Sequence, residues 1–264
     1  MPDQLIEHMN HLLKKLLRLA LLSTAAAKAQ TNLIQFQSIR EQTALLELYT
    51  SEGCSSCPPA ESWLSGLQES LQLWKAFAPV AFHVDYWDSL GWKDAWSNAG
   101  YSERQRAYAS WWRSDSVYTP GFILNGQEWR NWFAEKNLSV IRRERVGILT
   151  VTSADTNHWQ ASFLPEQPAK TGYIIHAALL AGGIVSDVKT GENQGHKLRH
   201  DFVAVNVVHI GTTTSNGVVS GKFISDTTRF ATGKTLALTV WVTQAGQLKS
   251  LQATGGWLIP PALK

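Results

Sequence analysis

The sequence predicts an α+β protein in two parts: helices packed on a mixed sheet over residues 43–146, then an all-β, sandwich-like domain over residues 147–258. Two observations carry this reading. Up to Arg145, short apolar runs alternate with stretches whose apolar residues recur at spacings of three and four, the signatures of strand and amphipathic helix. After Gly147 the helical spacing disappears, and runs rich in β-branched residues are separated by Gly, Asn, Ser and Thr, the pattern of an all-β domain.

The chain begins with an address. Lys14, Lys15 and Arg18 precede the apolar residues 19–27, and Ala27-Lys28-Ala29 supplies a small-x-small cleavage site. Charged n-region, short h-region and A-x-A site describe a secretory signal peptide over residues 1–29. Its removal takes Lys14, Lys15, Arg18 and Lys28 against Asp3 and Glu7, so most of the net charge of +3 leaves with it. Nothing in that balance calls for a nucleic-acid partner. After cleavage no apolar run is long enough to hold a membrane. The expected location is the periplasm or the outside of the cell, an oxidising setting where a cysteine pair stays bonded.

Residues 30–42 are polar and read as an irregular leader. The compact run "ALLELY" at 44–49 reads as a strand, and "TSEGCSSCPP" after it is dense in turn formers. Ala60, Trp63, Leu64, Leu67, Leu71 and Trp74 share one helical face, and Pro58 and Pro59 suit a first turn that needs no amide donor. "VAFHVDY" at 80–86 is a second strand. Ser102 with Gln105 forms a capping box for a helix running to Trp112. "GFILN" at 121–125 is a third strand, and Asn125-Gly126 marks a hairpin into "EWRNWF". A further helix is expected over residues 138–145. Beyond Gly147, "ILTVTS", "HWQASFL", "GYIIHAALL", "HDFVAVNVVHI", "GVVSGKF" and "LALTVWVT" are the expected strands.

The chemistry concentrates at Cys54-Ser55-Ser56-Cys57, where the first strand gives way to the first helix. Helix N-termini carry partial positive charge and free amide donors, and both favour a thiolate. Cys54 is expected to be the more exposed nucleophile and Cys57 the resolving thiol. A structural staple is disfavoured by magnitude, because closing a four-residue loop contributes only about 2 kcal/mol. Zinc bound by Cys54, Cys57, His196 and His200 would need ligands far beyond finger spacing. Copper held by Cys54, Cys57 and His83 is chemically sensible, since thiolates suit Cu(I).

These residues carry a resemblance. "LELYTSEGCSSCPPAE", "AFHVDYWDSLGWKD", "ERQRAYA", "VYTP" and "GENQGHKL" resemble the blocks of a bacterial family of secreted thioredoxin-like proteins, domain of unknown function 1223. The resemblance implies a thioredoxin-like domain over residues 43–146 with a cis-proline, Pro120, preceded by Thr119 and facing the cysteines. It also implies a buried acid beneath the pair that assists proton transfer. Glu47, interrupting "LLELY", lies near that place, one residue out of register, with an edge-facing acid as the alternative. The Ser-Ser between the cysteines and the Pro-Pro after them depart from ordinary thioredoxin.

Around this centre, His83 and Asp85 fall on one face by alternation at a strand end. They offer an acid–base pair near Cys54, or a bond to each other and to a loop. Trp87 and Trp92, in a Trp-rich loop, offer an aromatic binding surface, with internal packing as the alternative. "TGENQGHKL" either folds over the cysteines or forms a hairpin turn. The function expected is an exported thiol–disulfide oxidoreductase acting on protein thiols or disulfides, with the Cys54–Cys57 disulfide as its redox group, no organic cofactor and no resident metal. The rival class is a non-enzymatic protein binding copper or a protein partner.

Overall fold

The computed structural model describes residues 33–262 except 135–137, 139–143 and 228–234. The expected signal peptide and most of the helix expected at 138–145 lie outside the described residues. In chain order the elements are β1 (Ile34–Gln37), β2 (Ala44–Thr50), α1 (Pro58–Gly66), β3 (Phe77–His83), α2 (Ala99–Trp112), β4 (Gly121–Leu124) and β5 (Gln127–Glu128). There follow β6 (Gly147–Ser153), β7 (His158–Pro165), β8 (Tyr173–Gly182), β9 (Ile184–Asp187), β10 (Lys197–His200) and β11 (Val203–Ile210). The chain ends with β12 (Thr213–Ser215), β13 (Val218–Ile224), β14 (Thr235–Gln244) and β15 (Ser250–Ile259). No described helix is long and apolar enough to cross a membrane.

The predicted fold class is overturned. Strand accounts for 46% and helix for 13% of the described residues, so the protein is mostly β rather than α+β, and it is not a typical thioredoxin fold followed by a separate sandwich. The reason is topological. One eight-stranded sheet, in the order β15-β14-β8-β11-β3-β2-β4-β5, takes strands from both halves of the chain. β2 and β3 pair in parallel, and β11 joins the free side of β3 through Val203 opposite Ala81. A second sheet, β1-β6-β7-β13-β12, is wholly antiparallel. Leu149, Val151, Trp159 and Phe163 of this sheet share a core with Ile175, Leu238, Val240 and Val242 of the large one. The sandwich is therefore made by laying five strands on the large sheet. Burial records the difference: every residue of β2 and β3 is buried, whereas β6 alternates between buried and half-buried, as a sheet covered on one face requires.

Several local expectations are also corrected. The first helix stops at Gly66 instead of reaching Trp74; a short 3₁₀ turn follows, and Ser70 is extended. Leu71 is 85% exposed and so is no part of a core face. The second helix starts at Ala99, where the Asn98 side chain accepts from the Gly100 amide. Ser102 serves elsewhere. Ile34–Gln37, within the expected leader, is an edge strand on β6. β15 escaped the strand reading because Gly255 and Gly256 interrupt its apolar pattern. A β-carbon at Gly256 would lie 2.2 Å from the Phe36 ring, and one at Gly255 2.6 Å from the Trp74 ring, so the glycines admit two aromatic side chains.

Gly147, the first residue of β6, has φ +120°, and a β-carbon there would sit 2.2 Å from the Leu164 carbonyl oxygen. Both backbone conformation and space forbid a side chain. Gly147→Ala is expected to destabilise the protein by about 3 kcal/mol, read as a fall in the urea midpoint; an unchanged midpoint would contradict this packing.

His176, inside β8, stacks on Trp241, with its Nδ1 2.7 Å from His209 Nδ1 and its Nε2 3.0 Å from Thr243 Oγ1. Burial, then Arg104 and His209, push it down to about 3. Below its unfolded pKa of about 6.5 the unfolded chain binds a proton that the native chain refuses. The stabilisation from the neutral ring is thus complete above that value and is lost as pH falls towards 3. Between pH 7 and 5 stability should drop by about 2 kcal/mol on this account. His176→Gln should flatten that slope in denaturant titrations, and an unaltered slope would reject the assignment.

Candidate active site

β2 delivers its C-terminal end to the cysteine turn. The Cys57 amide bonds back to the Cys54 carbonyl at 3.2 Å, and the Ala60 and Glu61 amides then close on Cys57, opening α1. Cys57 is the N-cap, and Pro58 and Pro59 occupy the first turn, where their missing amide protons leave no bond unmade. Cys54 and Cys57 are joined as a disulfide with Cα atoms 5.5 Å apart. The expected difference in exposure is absent: Cys54 is 0% and Cys57 1% exposed.

The "TGENQGHKL" segment is the connection of the β9–β10 hairpin, and its loop packs as a lid against the cysteine turn. Asn193 Nδ2 donates to the Glu52 carbonyl at 2.9 Å and to the Cys54 carbonyl at 3.0 Å. The Ser55 amide donates to Glu192 Oε2 at 3.0 Å. The Thr190 hydroxyl bonds the Gly91 carbonyl, and Gly91 and Gly191 pack backbone to backbone. The lid is polar and is held to the cysteine turn by a handful of hydrogen bonds.

Beneath the turn lies a buried cluster made by four segments. Glu61, in the first turn of α1, accepts from Thr50 Oγ1 at 2.5 Å and meets His200 Nδ1 at 2.5 Å. His200, the last residue of β10, places Nε2 3.2 Å from Glu52 Oε1, at ion-pair distance but without hydrogen-bond alignment. Burial works against charge on His200, but Glu52 and Glu61 hold its pKa up to about 10. His83, ending β3, has Nδ1 2.7 Å from Asp94 Oδ2, and its ring meets His200 edge-on at 5.1 Å. Burial opposes ionisation of Asp94, yet His83 and the Glu52 and Trp96 amides hold it below the ordinary carboxylate range. Glu61, His83 and His200 each offer a ligand-type atom, all within 4.8 Å of one another.

The residues singled out from sequence divide between this site and other duties. Glu47 is buried rather than edge-facing, but it does not serve the cysteines. Its oxygens accept from Arg104 at 2.7 and 3.1 Å, from Tyr108 at 2.6 Å and from Tyr49 at 2.9 Å. The acids beside the disulfide are Glu52 and Glu61. His83 enters the cluster, but its partner is Asp94, because β3 ends at His83 and alternation no longer aims Asp85. Asp85 instead accepts from the Ser102 hydroxyl of α2 at 2.5 Å. Trp92 donates to Glu52 Oε2 at 2.7 Å, so its polar edge points inward. Trp87 donates to Thr119 Oγ1 at 2.8 Å. A β-carbon at Gly53 would come 3.1 Å from Trp87 Cβ, so Trp87 ties Thr119 to the cysteine turn. Thr119-Pro120 is cis, and Pro120 lines a cleft of about 460 Å³ with Trp129 and Trp132. Sequence reasoning missed Glu52, Glu61 and Asp94. Their signal was present, since all three sit inside the quoted blocks.

A disulfide at the head of a helix, beside a buried histidine–carboxylate cluster, defines the candidate site of a mostly-β protein. Residues 45–243 match the family described as protein of unknown function (DUF1223), and the chain belongs to that family. Its fold is similar to that of a protein from Agrobacterium tumefaciens solved by X-ray crystallography, with TM-score 0.58 and 21% identity over 86% of this chain and 98% of that one. It is also similar to HBP35 of Porphyromonas gingivalis, with TM-score 0.53 and 14% identity over 86% of this chain and 79% of that one. No curated protein matches the chain.

Proposed function

We propose that this protein is an exported thiol–disulfide oxidoreductase whose redox group is the Cys54–Cys57 pair. The observation that carries the reading is the placement of the pair at the start of α1, with the Glu192–Asn193 lid hydrogen-bonded to the cysteine turn. On this reading, lid opening is the step that gives a substrate access to the turn. In the reduced protein, the Cys54 thiolate attacks one sulfur of a substrate disulfide. The new S–S bond forms as the substrate bond breaks, and the leaving thiolate takes a proton from water. Cys57, deprotonated in turn, attacks Cys54 Sγ, re-forms the internal disulfide and releases the second substrate thiol. Two electrons pass from the pair to the substrate; the reverse sequence oxidises a protein dithiol. Ser56 Oγ, 3.3 Å from Cys54 Sγ, is placed to donate to the Cys54 thiolate. Hydrogen bonding to the charged form favours it, which supports Cys54 as the attacking sulfur.

Burial of both sulfurs favours a second reading, a binding protein for copper or a protein partner in which the disulfide only closes a turn. Reduction of insulin by dithiothreitol separates the two. The oxidoreductase accelerates it, and Cys54→Ser and Cys57→Ser abolish the acceleration. Wild-type protein no faster than either variant would leave the binding reading in place.

A further inference from the structure

We propose that Glu61, His83 and His200 form a site for a divalent transition-metal ion of the zinc class beneath the cysteine turn. The site uses no thiol and stands apart from the redox reading. Three independent features support it. The first is convergence: donor atoms from α1, β3 and β10, far apart in sequence, lie within 4.8 Å of one another, and all three residues are buried.

The second is an unfilled bonding capacity. His83 is 1% exposed, yet its Nε2 has no hydrogen-bond partner; His200 Nε2 and Glu52 Oε1 face each other at 3.2 Å without hydrogen-bond alignment. Leaving a buried polar atom unpaired is costly, and the unpaired His83 Nε2 belongs to the same cluster as the poorly aligned His200–Glu52 contact. A bound cation satisfies them together. Glu52 Oε1, 3.2 Å from His200 Nε2, stands beside the trio as a further oxygen donor.

The third is orientation. Asp94 binds His83 Nδ1 at 2.7 Å and is itself fixed by the Glu52 and Trp96 amides. Metal-bound histidines characteristically pass their second nitrogen to a carboxylate in this way, which sets the tautomer and presents Nε2 to the ion. Among the described residues the ion pairs of Glu52, Glu61 and Asp94 are with His200 and His83 themselves, so a bound ion would take the place of an imidazole proton and not of a lysine or arginine. Two imidazoles with carboxylate oxygens form a borderline donor set, suited to Zn²⁺ and Co²⁺ rather than to Mg²⁺ or Ca²⁺.

Calorimetric titration of the full-length, disulfide-intact protein with Zn²⁺ tests the proposal. One ion should bind per chain. Asp94→Asn should weaken binding about 10- to 100-fold, and His83→Gln should weaken it at least as much. His196→Gln, outside the cluster, should bind as wild type. Should a cluster variant fail to fold, the Co²⁺ spectrum of the wild-type protein decides: visible bands of nitrogen–oxygen coordination without thiolate charge transfer are expected. Absence of Zn²⁺ and Co²⁺ binding by the wild type would overturn the proposal, as would binding indifferent to His83 and Asp94.

Discussion

Arg104→Met should destabilise the protein by about 3–5 kcal/mol. The Glu47 side chain is wholly buried on β2, and Arg104 reaches it from α2 with two nitrogens. The guanidinium also lies 5.3 Å from the Tyr108 ring centre and 5.5 Å from that of Trp241. Methionine keeps the apolar stem but leaves the carboxylate with only the Tyr49 and Tyr108 hydroxyls. The cost is that of an unpaired buried charge, not the net worth of the pair. The double replacement Glu47→Leu with Arg104→Met should therefore recover most of the loss, because buried ion pairs and apolar substitutes are often near equal in energy. Urea denaturation of the four proteins in the cycle measures this. A double variant no more stable than Arg104→Met would show that the loss lies in packing and not in charge.

Asn193→Ala should speed reduction of the Cys54–Cys57 disulfide by dithiothreitol about 10- to 30-fold. Asn193 joins the lid to the cysteine turn by its bonds to the Glu52 and Cys54 carbonyls. Each such bond contributes about 1 kcal/mol net, and every 1.4 kcal/mol removed from the opening step is tenfold in rate. Glu192→Ala, which removes an exposed contact to the Ser55 amide, should have a smaller effect in the same direction. Alkylation and mass measurement at timed intervals give the rates. Equal rates for wild type and Asn193→Ala would mean that the lid does not control access.

Local features of the chain were legible where the determining forces are local. The strand read at 44–49, the proline-led helix start and the Asn125-Gly126 hairpin each rest on a few adjacent residues, and the structure has them, the strand running one residue further. Which sheet a strand would join was not legible. β8 and β14 resemble any apolar run, and only pairing with β11 and β15 turns them into an extension of the sheet begun by β2 and β3. The same limit hid the cluster. His200 was set aside as a ligand beside Cys54 and Cys57 because well over a hundred residues intervene, yet β10 returns it to within 2.5 Å of Glu61. Spacing rules describe local loops and fail where a sheet brings the chain back. Glu47 shows the converse: the run left open whether the acid is buried or edge-facing, and it is buried because Arg104, which nothing local announces, pairs with it.

The central claim, that the buried disulfide is a working redox pair, is tested most directly by comparing two rates on the wild-type protein without denaturant. One is reduction of Cys54–Cys57 by excess dithiothreitol, followed by alkylation and mass. The other is global unfolding, extrapolated from denaturant. Opening of the 190–195 lid alone predicts reduction many-fold faster than unfolding and proportional to thiol concentration. Reduction that plateaus at the unfolding rate whatever the thiol concentration would contradict the account and make the pair a structural closure.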